Sequence, residues 1–281
     1  GKGTVNGQAQ KGPLSAGSSI LATELDSTLN SNGKTYAALT TSNLGTFKIA
    51  NISTNLVEFM ATGYYMNELT GGLSTSTLTL SGFADISVDT TPTVNILTAL
   101  QKLRAKSLVL SGNSYLDSLT KSRNEVLQVF GIDPARINNL GQLYSMQIDG
   151  KEDQDGVLLA ISSILAQMAT TASNSHGSSQ AAELTNYINA ISADLQDDGL
   201  LQNSSITGDI KAASKLIPLS TVRNNVESYY ARNGTALTAA KFEEWIDKDG
   251  SGNLPVRLKS VSALSFNDTQ GVEPQQDVTS D

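Results

Sequence analysis

Residues 89–103 read Asp89-Thr90-Thr91-Pro92-Thr93-Val94-Asn95-Ile96-Leu97-Thr98-Ala99-Leu100-Gln101-Lys102-Leu103, and within this stretch the hydrophobic period of the chain changes. Before Pro92, apolar residues alternate or cluster in short runs between turn residues, as in half-buried strands. After it, Val94, Leu97, Ala99, Leu100, Leu103 and Leu108 recur at the spacing of a helix that buries one stripe. A chain that switches once from strand to helix patterning is α+β, with its strands and helices segregated.

Working outward toward the N-terminus, four strand-like runs stand out. They are Ser19-Ile20-Leu21-Ala22-Thr23, Thr46-Phe47-Lys48-Ile49, Leu56-Val57-Glu58-Phe59-Met60-Ala61 and the hydroxyl-rich Leu73-Ser74-Thr75-Ser76-Thr77-Leu78-Thr79-Leu80. Between the runs and before them lie Lys11-Gly12-Pro13, Ser31-Asn32-Gly33, Ser42-Asn43-Leu44-Gly45 and Thr70-Gly71-Gly72, which supply the positive or fixed φ that turns need. Short strands at this spacing predict a small antiparallel, immunoglobulin-like β-sandwich over residues 1–88.

Toward the C-terminus, helices are predicted around residues 94–108, 115–130, 157–169, 181–195, 206–216, 222–231 and 236–246. Ser114 or Asn113 is a candidate cap for the second, and Gly131 its stop. The strongly apolar segment from Val157 to Ala169 reads as central. These helices define an all-α domain over residues 89–249. Residues 250–281 read as an acidic, Gly-rich hinge, a strand over 256–266 with Val256, Leu258, Leu264 and Phe266 on one face, and a polar extended tail. One strand is not stable without a partner edge. It can return to the N-terminal sandwich, begin another β domain, or pair with a neighbouring subunit.

Composition narrows the function. The 281 residues include Cys 0 and His 1. Disulfides, thiolate metal sites, Fe–S clusters and cysteine nucleophiles are therefore excluded. Charged residues are 16% and the net charge is −8, which argues against nucleic acid as a partner. No run of about eighteen or more apolar residues marks a transmembrane segment. The opening Gly1-Lys2-Gly3-Thr4 has no basic and apolar leader pattern. A cysteine-free, acidic, hydroxyl-rich chain of this kind fits an exported protein, extracellular or on the outer cell surface.

A family resemblance points the same way. In order, Gly3-Thr4-Val5, Lys11-Gly12-Pro13-Leu14, Gly17-Ser18, Glu24-Leu25, Gly33-Lys34-Thr35, Gly45-Thr46-Phe47, Glu58, Ala61-Thr62-Gly63-Tyr64-Tyr65 and Asn67-Glu68 resemble the carboxypeptidase-regulatory-like β-sandwich at the front of bacterial surface lipoproteins. Val94-Asn95-Ile96-Leu97-Thr98-Ala99-Leu100, Val129-Phe130-Gly131-Ile132, Leu158-Leu159-Ala160-Ile161-Ser162 and Phe242-Glu243-Glu244-Trp245-Ile246 resemble the helical region attached to it. The resemblance spans roughly residues 3–250 and carries no catalytic signature. It implies an exported protein. A lipoprotein begins at a lipidated cysteine, so the resemblance leaves either a preceding Cys or full secretion.

The segment richest in chemistry is Asp247-Lys248-Asp249-Gly250-Ser251-Gly252-Asn253-Leu254. It resembles the first half of an EF-hand or dockerin-type Ca2+ loop. Asp247, Asp249 and Ser251 stand at positions 1, 3 and 5, Gly252 at the sharp turn, and Asn253 at the position that gives its backbone carbonyl. Position 12, normally a bidentate Glu, is Leu258, and Pro255 precedes a strand. The competing reading is an acidic hinge after a helix.

Other motifs read as structural. Asp149, Glu152, Asp153 and Asp155 precede the apolar helix and suit its dipole. Asp197-Asp198-Gly199 is a helix stop. Gly33-Lys34-Thr35 lacks the upstream glycine of a P-loop, with Thr28 in its place. His176 falls in a polar interhelical link. Tyr64-Tyr65 and Tyr229-Tyr230 read as packing, and nothing motivates an isopeptide between Lys48 and Asn51. No enzyme is expected. The sequence points to a surface structural or assembly protein, a filament or layer subunit that self-associates through its terminal strand. The alternative is a calcium-stabilised adhesion module for a polysaccharide or another surface protein.

Overall fold

The computed structural model describes residues 3–255. Seven strands come first: β1 (Gly3–Gln10), β2 (Ser19–Leu25), β3 (Ser31–Leu39), β4 (Thr46–Ile52), β5 (Leu56–Gly63), β6 (Leu78–Asp85) and β7 (Thr93–Asn95). Six helices follow: α1 (Ile96–Leu110), α2 (Tyr115–Val129), α3 (Asp153–His176), α4 (Gln180–Asp198), α5 (Ser204–Leu216) and α6 (Leu219–Arg232). The fold is mixed α+β. The strand expected over residues 256–266 lies outside the described residues.

The strands form two sheets, ordered β4-β1-β7 and β3-β2-β5-β6. All pairs are antiparallel except β1 with β7, which run parallel through Gln8↔Thr93, Ala9↔Val94 and Gln10↔Asn95. Phe47 of one sheet meets Phe59 of the other at 5.5 Å between ring centroids. β1 was not legible as a strand because its inward residues are small: Val5, Gly7 and Ala9. Gly7 is required there, since a Cβ would sit 2.4 Å from the Phe47 ring.

The stretch around Pro92 is the joint between the sheets and the helices. β7 completes the β1 sheet, and α1 begins at the next residue. Asn95 closes that joint. Its side chain accepts from the Leu97 and Thr98 backbone N–H groups and donates to Thr93 Oγ1 and Leu143 O. Thr98 Oγ1 reciprocates by accepting from Asn95 N, giving a capping box.

α3 is the central helix. The run from Asp155 to Ala166 is buried without a break, so this part of the helix is enclosed on every side and mostly apolar, while the helix's last turn is exposed. By length and composition it is apolar enough to cross a membrane, but 72% of its most apolar window lies inside the fold. The buried residues of sheets and helices form one contiguous cluster.

Four local expectations are corrected. Ser31-Asn32-Gly33 is the start of β3, with Gly33 at positive φ. Residues 73–77 are not strand: Ser74 turns in to accept from Tyr65 N and donate to Ser76 O, and β6 starts at Leu78. Residues 236–246 form no α-helix, only a 3-10 turn at Glu243–Trp245. The Arg223 guanidinium takes the Ala239 and Ala240 carbonyls that a helix would have used internally. His176 is the last residue of α3 and not a link residue.

Candidate functional site

The loop predicted to hold calcium is built on the buried pair Trp245 and Ile246, which anchor its entry in the core. Lys248 fastens its outer side, donating from Nζ to Lys215 O at 2.6 Å and to Ile217 O, at the end of α5. Gly250 and Gly252 both adopt positive φ, 71° and 81°, so the chain doubles back tightly where other residues are strained.

Within the loop, Asp247 Oδ2 accepts from Gly252 N at 2.9 Å and Asp249 Oδ1 from Ser251 N at 2.9 Å. Ser251 Oγ lies 3.3 Å from Asn253 O. The four residues singled out by spacing are therefore gathered in one turn. Asp247 Oδ1 is buried and has no hydrogen-bond partner. The Asp249 carboxyl is held below its ordinary range by the Ser251 backbone and side chain and by the neighbouring Asp247. The donor set is two carboxylates, one hydroxyl and one backbone carbonyl, all oxygen, the chemistry of a hard cation. Among the described residues no group of three or more His, Cys, Asp or Glu is arranged for a metal. Leu258, at position 12, lies outside the described residues. Beside the loop is a cavity of about 240 Å³ lined by Phe130, Ile164, Ile210, Trp245, Asp247 and Leu254 among others.

The second feature concerns assembly. β3 is the terminal strand of its sheet, nine residues long, and among the described residues no strand is hydrogen-bonded to its outer edge. Most of it is exposed. The register places Ala37 opposite Leu21, and Leu21 opposite Met60, on the outward face. Leu21, Met60 and, one pair along, Leu39 are exposed there. An open edge beside exposed aliphatic side chains is a template for strand addition.

The remaining candidates are distributed as structure. Asp155 caps α3, accepting from Gln147 N and Glu152 N, and Asp153 accepts from Asn138 N. Asp149 accepts from Gln8 and Gln10. His176 Nδ1 lies 2.9 Å from Glu183 Oε1. Tyr65, Tyr229 and Tyr230 are buried, while Tyr64 is exposed.

Sequence reading missed a buried ionic cluster. Lys11, in the turn after β1, has no exposed surface, and its Nζ lies 2.5 Å from Glu68 Oε1 and 2.7 Å from Ser162 Oγ in α3. The only signal was a lysine and a glutamate within otherwise apolar or turn-rich segments. Comparison with protein-family profiles, with curated proteins and with solved structures finds no match to this chain.

Proposed function

We propose that the chain is a non-enzymatic structural protein of a bacterial cell surface, exported and self-assembling by strand addition. The observation that carries this reading is the open outer edge of β3 in a chain whose sequence holds one further strand pattern, at 256–266. In this reading residues 256–266 of one copy lie against β3 of the next. Main-chain hydrogen bonds supply the affinity, and Val256, Leu258, Leu264 and Phe266 would extend the outward face on which Leu39 of β3 lies, with Leu21 one strand further in. A head-to-tail contact of this kind propagates into a filament or layer unless rotation closes it. The two sheets, with Phe47 against Phe59 between them, support an immunoglobulin-like sandwich as the acceptor.

Light scattering on the full chain and on a chain ending at residue 255 tests the proposal. The full chain is expected to form concentration-dependent oligomers, and the shortened one to stay monomeric and bind an added peptide of residues 256–266. Equal mass for both chains overturns it.

A second reading rests on Asp247. Its buried, unpartnered Oδ1 supports a Ca2+ ion held by Asp247, Asp249, Ser251 and the Asn253 carbonyl. That ion would make the molecule a calcium-stabilised adhesion module for a polysaccharide or another surface protein.

A further inference from the structure

The Lys11 cluster is not used by either reading, and its geometry is unusual for a salt bridge. Lys11 and Glu68 are 0% and 1% exposed in their side chains. They come from distant parts of the chain, the turn after β1 and the loop after β5. α3 supplies the third member, Ser162, which is 0% exposed. Ser162 Oγ lies 2.7 Å from Lys11 Nζ and 2.7 Å from Glu68 Oε1, so the three atoms form a closed triangle. Glu68 Oε2 is buried with no hydrogen-bond partner. A carboxylate with one oxygen bare in the interior is costly, and so is an enclosed ammonium. Burial lowers the lysine's proton affinity more than Glu68 restores it, which favours the neutral amine.

We propose that Lys11 and Glu68 condense to an intramolecular amide, a covalent cross-link in the core of this cysteine-free protein. Proton transfer within the ion pair gives an amine and a carboxylic acid. The Nζ lone pair attacks Cδ, the Nζ–Cδ bond forms, and the Cδ–Oε1 bond breaks. Oε1 leaves as water with the acid proton and one proton from Nζ, which Ser162 Oγ is placed to relay. The three protons of the ammonium end as one on the amide nitrogen and two on water, and nothing is oxidised or reduced. Oε2 becomes the amide carbonyl, so both buried charges disappear. The link closes the chain between residues 11 and 68 around β2 to β5. That removes conformational freedom from the unfolded chain as a disulfide would.

Mass spectrometry of the full chain decides it. The protein is denatured and treated with mild base, which hydrolyses any succinimide at Asp149-Gly150, Asp155-Gly156, Asp198-Gly199 or Asp249-Gly250, then weighed and digested with trypsin. The expected mass is one water below that of the sequence. The digest should hold residues 3–34 joined to 49–102, because trypsin does not cleave after an acylated lysine. Lys11→Arg should show its full sequence mass, and Ser162→Ala should accumulate the link more slowly. A full-mass wild-type chain that yields separate linear peptides with free Lys11 overturns the proposal. So does a water deficit that maps elsewhere. Both results are read on the wild-type protein, whether or not the variants fold.

Discussion

Tyr36 Oη donates a 2.6 Å hydrogen bond to Glu24 Oε1 across the β2–β3 pair, and fixes a carboxylate that has no exposed surface. Ser53 adds its backbone N–H and hydroxyl, each at 2.8 Å, and Asn32 donates to the other oxygen at 2.8 Å. Burial alone would raise the carboxyl's proton affinity. The donors from Asn32, Tyr36 and Ser53 together outweigh it, and its pKa falls from 4.5 to about 2. A folded pKa below the unfolded one contributes stability above the unfolded value, lost as pH falls through the folded one. Urea midpoints should therefore drop between about pH 4.5 and 2. Glu24→Gln should be less stable at neutral pH, by about 1–3 kcal/mol for the orphaned donors, and flatter across that acid window. An identical acid profile in wild type and variant would count against this role.

Asn95 holds the strand-to-helix joint with four hydrogen bonds, two as cap and two as donor. Asn95→Ala should cost about 2–3 kcal/mol, more than a surface cap, because Leu143 O and Thr93 Oγ1 are left buried as well. Asn95→Asp should recover the cap but not the donors. Chemical denaturation of the three proteins would show that order.

Gly45 combines two constraints. Its φ is 74°, and a Cβ would sit 2.2 Å from the Ala9 carbonyl. Gly45→Ala meets both a strained backbone and a backbone atom that has no side-chain freedom to yield. A loss of about 2 kcal/mol or more is expected. Gly17→Ala, whose Cβ meets nothing within 4 Å at φ 81°, separates the two terms and should cost less.

Arg223 staples the segment after α6. Its guanidinium bonds both oxygens of Glu243, at 2.7 and 3.0 Å, and also Glu227, Ala239 O and Ala240 O. It also stacks 5.4 Å over the Phe242 ring. Lysine cannot reproduce a planar fork with this many acceptors. Arg223→Lys should speed amide hydrogen exchange in residues 236–246 while leaving β1 to β6 protected. Uniform loosening of the whole chain would contradict this.

Calcium addresses the Asp247 loop directly. A site that binds only the folded state stabilises it by about 2.7 kcal/mol at a hundredfold excess over Kd. Calcium should raise the Tm of the wild-type protein, and calorimetry should record heat. The double variant Asp247→Asn with Asp249→Asn should show neither. No heat and no shift with the wild-type protein would remove calcium from the picture.

What could be read from the sequence was what depends on neighbours along the chain. The cap at Ser114 or Asn113, the stops at Gly131 and Gly199, and the enclosed character of Val157 to Ala169 are local physics, and the structure has them, with Ser114 as the cap. The change of period expected right after Pro92 comes three residues later, at Ile96, because Thr93–Asn95 first pair with β1. The turn that holds Asp247, Asp249, Ser251 and Asn253 is local as well, closed by Asp247 accepting from Gly252 N and Asp249 from Ser251 N. Tertiary structure decided the rest. The helix expected over 236–246 gave way to Arg223, a donor one element away that takes the Ala239 and Ala240 carbonyls. β1 became a strand through β4 and β7, although its own side chains are too small to announce it. Lys11 and Glu68 are 57 positions apart, and Ser162 stands 151 from Lys11. No periodicity links such residues, because their meeting is fixed by how α3 packs beneath the turn after β1.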